Sequence, residues 1–290
     1  MELDLYDVRT VKSLMSMFGL SFRKEFGQNF LKDRHVITSI ADSCGASSDD
    51  TILEIGPGIG TLTRELSGRY PAVYSVEIDK GLIPLLRYTL EDCKNVHVIQ
   101  EDIMKTDLSK LYHEEMKEAP VSVCANLPYY ITTPIIMMLL QSGIPFNTIT
   151  VMVQKEVARR LCAPVGSKDA GAVTAYLAYY GQSEIIMDVS RDSFIPVPGV
   201  DSSVMTVRPY VKKKVNPHDE KLFFKTIRVI FEQRRKTLLN ALSLGFPEMT
   251  KESITALLDV CGLEPTVRGE KLSLEKLTEL SDQIGYAISS

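Results

Sequence analysis

The chain contains no tryptophan, only four histidines and only five cysteines among 290 residues. His35, His97, His113 and His218 are scattered, which leaves no cluster that could ligate a metal. The cysteines are odd in number and none forms a C-x-x-C pair. That argues against a disulfide framework or a zinc site and fits a reducing cytosol. Long apolar runs are missing as well. The most apolar stretch, Pro134 to Leu140, is far shorter than the ~20 residues a membrane span requires. The opening MELDLYDVRT lacks the cationic start and apolar centre of a secretory signal. No internal repeat or low-complexity tract stands out, and nothing points to an oligomer. The expectation is a monomeric cytoplasmic protein with no membrane partner.

Net charge is small, −4 for the whole chain, but it is unevenly placed. Between Arg208 and Asn240 ten Lys/Arg face three Asp/Glu, a local excess of +7 on an otherwise acidic body. Such polarity marks a candidate contact with an anionic partner.

What is present alternates between strand and helix. Short β-branched runs at 51–55, 73–77, 96–100, 121–125 and 148–153 are separated by helical patterns, which predicts an α/β domain with a largely parallel sheet. The runs are continuously apolar, as expected of strands covered on both faces. Two further strands, at 185–190 and 204–208, flank the turn-rich FIPVPG and predict an antiparallel pair at the sheet edge. From Asp219 onward apolar residues recur at helical spacing. The expected division is residues 1–211, with an N-terminal helical extension, and a small all-helical domain at 212–290.

The first chemical signal is E54-I-G-P-G-I-G60, between a strand and a helix. Glycines such as Gly56 and Gly58 let the backbone approach a ligand closely. The loop is not the dinucleotide fingerprint, because Thr61 stands where the third glycine belongs. Glu77 ends the next strand, 21 residues after Gly56, where an acid can accept both hydroxyls of a ribose. Asp102 follows the third strand and can accept from an adenine amine. Three consecutive strand tips thus offer the parts of a nucleoside-cofactor site.

The fourth strand ends in Asn126-Leu127-Pro128-Tyr129-Tyr130. In this position the sequence resembles the catalytic motif of amino-group methyltransferases. An adenine amine is a poor nucleophile because its lone pair is delocalised into the ring. Acceptors aimed at both N–H bonds favour a pyramidal nitrogen and expose the lone pair. The Asn126 side chain is one acceptor, and the carbonyl of Leu127 or Pro128 is the other. Tyr129 can stack on the base. Catalysis would then rest on positioning and preorganised dipoles.

Five blocks together carry a family resemblance over nearly the whole chain: F26-G-Q-N-F-L31, the glycine loop, N126-L-P-Y-Y-I-T-T133, F194-I-P-V-P-G-V-D-S202 and F231-E-Q-R-R-K-T-L238. They resemble the ribosomal RNA adenine dimethyltransferases, most closely the KsgA type that acts on the small ribosomal subunit. The resemblance implies a Rossmann-like sheet that binds S-adenosylmethionine, and two methyl transfers to the N6 amine of an adenine. The implied targets are two adjacent adenines in a hairpin near the 3′ end of the RNA of the maturing small subunit. It implies that Asn29 and Leu31 lie over the cofactor, and that Gly56, Glu77, Asp102 and Asn126 contact it. It further implies that Phe194 stacks on the target opposite Tyr129. Many family members carry Asn where Tyr130 stands. Arg234, Arg235 and Lys236 lie in the basic region and are expected at the RNA. Competing readings are a large-subunit methyltransferase of the antibiotic-resistance type, a non-catalytic RNA-binding or assembly factor, and an NAD-dependent dehydrogenase, which NLPY does not fit.

Overall fold

A computed structural model describes residues 3–23, 28–45 and 47–289. Phe26 and Gly27 of the first block lie outside the described residues. Helix α1 (Val8–Met17) precedes strand β1 (Phe30–Leu31) and helix α2 (Arg34–Asp42). Strand and helix then alternate through β2 (Thr51–Ile55), α3 (Thr61–Ser67), β3 (Val73–Glu77), α4 (Ile83–Thr89), β4 (Val96–Gln100) and α5 (Leu108–Lys110). They continue through β5 (Val121–Asn126), α6 (Thr132–Gln141) and β6 (Phe146–Gln154). Helices α7 (Lys155–Leu161) and α8 (Ala172–Tyr180) come next, followed by β7 (Gly181–Val189), β8 (Phe194–Ile195) and β9 (Ser202–Pro209). The remaining elements are helices α9 (Glu220–Glu232), α10 (Leu238–Gly245), α11 (Lys251–Val260) and α12 (Leu274–Ser289).

Seven strands form one sheet in the order β4-β3-β2-β5-β6-β9-β7. β2 pairs in parallel with both β3 and β5, and β6 pairs in parallel with β5. β9 runs antiparallel to β6. The chain builds outward from β2 to β4, then returns to the other side of β2 with β5. The strand order therefore reverses between β2 and β5, the switch point where ligands of open α/β sheets bind. β2 and β3 are buried along their whole length, and β5 up to its final residue. That is the burial their continuous apolar runs require. β4 stands at the edge and is only partly covered.

A second ribbon lies outside what the sequence pattern predicts. Phe30 pairs with Ile195 and Leu31 with Phe194, so β1 and β8 form a two-stranded antiparallel sheet. Two residues per strand are too few for periodicity to register. Cys44 and Cys124 meet in the core, with their Cα atoms 5.7 Å apart. They are separated by 80 residues, and the sheet, not local spacing, brings them together.

The chain divides into two compact units, residues 1–158 with 184–209, and residues 159–183 with 210–290. The second unit begins close to the expected boundary but also takes in 159–183, which the sequence pattern assigns to the first. The reason lies in α8. Its Ala175 and Tyr179 are buried in the same cluster as Phe223, Ile227, Phe246 and Leu277 of the C-terminal helices. Asp219 opens α9 by accepting from the amides of Lys221 and Leu222.

Candidate active site

At the carboxyl ends of β2, β3 and β5 lies an open cleft. Gly56, Gly58 and Glu77 line it. Asn29, Asn126, Leu127, Pro128 and Tyr129 line it as well. Eight of the expected site residues thus converge from segments far apart in the chain.

Gly58 has a left-handed backbone, φ +61°, and a Cβ there would stand 3.1 Å from the Phe30 ring. Both facts demand glycine. Phe30 itself lines the cleft, along with Gln28 and Ile78; Gln28 and Phe30 fall within the F26-G-Q-N-F-L31 block, which gives a role only to Asn29 and Leu31. Gln28 is held by its side-chain amide, which donates to Asp79 at 2.9 Å. The short β1–β8 ribbon carries Phe30 to the glycine loop.

Glu77 is 4% exposed. Its carboxylate accepts from the Asp79 amide at 2.7 Å and from the Gly58 amide at 3.3 Å. Burial pushes its pKa up to about 7, against the pull of those amides. Below it Glu54 is wholly buried and also pushed up to about 7 by desolvation. One Glu54 oxygen accepts from Ser75 and Thr63 at 2.6 and 2.7 Å, and the other has no hydrogen-bond partner among the described residues. Nothing in the sequence motifs assigns Glu54 this place.

Asn126 shows the clearest preorganisation. Its Nδ2 donates to the Asn29 carbonyl at 3.2 Å, which fixes the amide's orientation and leaves Oδ1 as the end able to accept. The Pro128 carbonyl already accepts from the Ile131 amide at 3.1 Å and the Thr132 hydroxyl at 3.2 Å. Both lone pairs are engaged, so of the two carbonyls considered that of Leu127 keeps its capacity among the described residues. The Tyr129 hydroxyl is tied to Ser202 Oγ at 2.8 Å.

Three expected residues stand apart from the cleft lining. The Leu31 side chain is packed into the core with Ile37 and Ile40, so only its main chain is available to a ligand. Asp102 follows the β4 tip; its Oδ1 accepts from the Met104 amide at 3.0 Å and its Oδ2 lies 3.6 Å from Lys105 Nζ. Phe194 corrects the stacking assignment. It is 1% exposed, in a cluster with Leu31, Val36, Val189 and Val204. On a β-strand successive side chains take opposite faces, and Phe194 takes the core face of β8. In the second unit, Arg234 is engaged by Glu270 at 3.1 Å and by the Lys168 carbonyl at 2.8 Å. Arg235 and Lys236 beside it are exposed.

A sequence model described as "Ribosomal RNA adenine dimethylase" matches residues 19–282. The chain belongs to that family. It is 44% identical over 280 residues to the ribosomal RNA small subunit methyltransferase A of Clostridioides difficile (strain 630), covering 96% of each chain. To the protein of the same name from Geobacillus thermodenitrificans (strain NG80-2) it is 42% identical, covering 98% of each. Among solved structures it resembles the 23S rRNA methyltransferase ErmE, with TM-score 0.68 and 27% identity over 89% of this chain and 100% of that one. It shares the fold of a dimethyladenosine transferase from Plasmodium falciparum, with TM-score 0.72 and 24% identity over 87% and 95% of the two chains. Glycine loop, Glu77 and NLPY turn all line the one cleft of this family member.

Proposed function

We propose that this dimethylase transfers methyl groups from S-adenosylmethionine to the N6 amines of two adjacent adenines. These lie in a hairpin near the 3′ end of small-subunit ribosomal RNA, and the product is N6,N6-dimethyladenosine. The observation that carries the mechanism is the fixed amide of Asn126. With Nδ2 committed to Asn29, Oδ1 accepts one N–H of the target amine. The Leu127 carbonyl accepts the other, since that of Pro128 is taken. These two acceptors draw the lone pair out of conjugation, and Tyr129, anchored through Ser202, forms a wall for the base.

The cleft suits a nucleoside cofactor. Its backbone cradle is one that a Cβ at Gly58 would fill, and Glu77 presents a carboxylate able to accept ribose hydroxyls. Leu31 would contribute main-chain groups, and Asp102 would accept from the cofactor's adenine amine. When bound, S-adenosylmethionine supplies a methyl group on a sulfonium, a leaving group good enough that no strong base is needed. The chain's own contribution is orientation, for which well-placed reactants gain ~7–11 kcal/mol. Arg235 and Lys236 would contact RNA phosphates on the immature small subunit in the cytoplasm, with the protein acting as a monomer.

The test is methyl transfer from radiolabelled S-adenosylmethionine to undermethylated small and large ribosomal subunits in parallel, with the product nucleoside identified. Dimethyladenosine in the small subunit alone is expected. Label in the large subunit alone would move the target while keeping the mechanism. Cofactor binding without label in either would favour a binding or assembly role.

A further inference from the structure

The chain leaves β3 through Glu77-Ile78-Asp79, and Asp79 is only 3% exposed. A carboxylate withdrawn from water needs donors around it. Its Oδ1 accepts from the Gly81 amide at 2.9 Å, which caps the turn at Lys80–Leu82, and from the Arg23 guanidinium at 3.3 Å. Its Oδ2 accepts from the Gln28 side-chain amide at 2.9 Å. Arg23 and Gln28 also meet each other. Gln28 Oε1 accepts from the Arg23 backbone amide at 2.9 Å, and the Gln28 backbone amide donates to the Arg23 carbonyl at 3.4 Å. Asp79 thus holds the two residues together beside the β3 tip.

Gln28 is followed in the chain by Asn29, whose carbonyl accepts from Asn126 Nδ2 at 3.2 Å. On the other side of Asn29, Phe30 is fixed by its pairing with Ile195. Consecutive Cα atoms stand about 3.8 Å apart, so a residue between two anchored neighbours has little freedom of its own. The Asn29 carbonyl is therefore placed by Gln28 on one flank and by β1 on the other. That carbonyl sets the orientation of the Asn126 amide. The terminal torsion of asparagine is broad and roughly two-fold, so its own rotamer preference does not separate oxygen from nitrogen. With the carbonyl in place, Nδ2 is committed and Oδ1 is the accepting end. With it displaced, the amide can turn and present N–H to the target amine, where donor meets donor.

We infer that Asp79 is a positioning residue for methyl transfer, acting through Gln28 and Asn29 to hold the Asn126 amide in its accepting orientation. The inference rests on the proposed reaction, in which Asn126 Oδ1 accepts from the target amine. Asp79 also donates its own backbone amide to Glu77 Oε1 at 2.7 Å. One residue therefore ties the carboxylate proposed for the ribose, at the end of β3, to the amide proposed for the target base, at the end of β5.

The experiment exchanges donor and acceptor within the Asp79–Gln28 pair. Asp79→Asn sets an amide N–H against the Gln28 amide, and Gln28→Glu sets a carboxylate against that of Asp79. The double variant restores the hydrogen bond with its roles reversed, while Oδ1 at position 79 still accepts from Gly81. All are assayed on undermethylated small ribosomal subunits, with both substrates saturating, and cofactor affinity is measured separately by calorimetry. Each single variant should lose about tenfold in kcat, the scale of one hydrogen bond to a charged group, and the double variant should regain most of it. In an Asn126→Ala background the single variants should lower the residual kcat no further. A loss confined to cofactor affinity or KM, no recovery in the double variant, or a full further loss on Asn126→Ala would overturn the inference while leaving the methyltransferase reading intact. Cofactor binding by wild type without methylation of either ribosomal subunit would overturn both.

Discussion

Glu77 and Arg235 are both charged groups assigned to a nucleotide-derived ligand, yet they sit in opposite physical settings. Glu77 is buried at a strand tip and held by two backbone amides. Arg235 is exposed in the loop that follows α9. Desolvation makes the first sensitive to geometry and protonation. Solvation makes the second a screened, adaptable contact. On the proposed roles, recognition of the small ligand rests on buried, fixed groups, while grip on a large polyanion is left to surface charge.

The largest effect should come from the fixed side. Asn126→Ala removes an acceptor that is already oriented, and kcat should fall by ~10²–10³ with cofactor affinity nearly unchanged. Near-normal turnover would end the proposed mechanism. Gly58→Ala forces a side chain into a left-handed position against Phe30. It should cost ~1–2 kcal/mol of stability and weaken cofactor binding more than tenfold, measured by thermal melts and calorimetry.

Protonation sharpens the contrast further. Glu77 has a folded pKa of about 7, above its ordinary value of 4.5. Its contribution to stability without ligand is therefore fully present below about 4.5 and is lost as pH rises through about 7. Ribose hydroxyls donate to the carboxylate and favour the charged form, so cofactor binding should release a proton. Affinity should drop about tenfold per pH unit below about 7. Glu77→Gln should bind more weakly and lose most of that pH dependence; an unchanged slope would remove Glu77 from the ribose site.

The smallest effect should lie on the exposed side. Arg235→Ala with Lys236→Ala should lower the salt slope of subunit binding by about 1 for each phosphate the two side chains neutralise. Arg234→Ala should instead act on the helical unit through its pair with Glu270. Its cost there should be below about 1 kcal/mol, because the pair is partly exposed to solvent. Equal salt slopes for the two variants would erase the distinction between them.

Legibility followed the same division. The five parallel-sheet runs and the tips Gly56, Glu77 and Asn126 could be read locally, because a buried strand needs a continuous apolar run and a strand-to-helix turn needs glycine. Gln28 and Phe30 fall in a quoted block, but their place in the cleft was not legible, because it depends on a ribbon of two residues per strand and on a side chain held from Asp79. Phe194 was legible only as an aromatic beside prolines, and its packing partners Val36 and Val204 come from distant segments.

By itself, then, the sequence determined the α/β alternation, the helical C-terminal region and the residue types at the strand tips, because each is written in local periodicity and backbone requirement. Tertiary structure alone decided that Asn126 commits its Nδ2 to the Asn29 carbonyl, that Pro128 is spent within its own turn, and that Arg234 pairs with Glu270. It also decided that Phe194 faces the core and that segment 159–183 joins the second unit. Each of these depends on which partner reaches a group across the fold, and pairing between distant groups leaves no mark in the neighbouring residues.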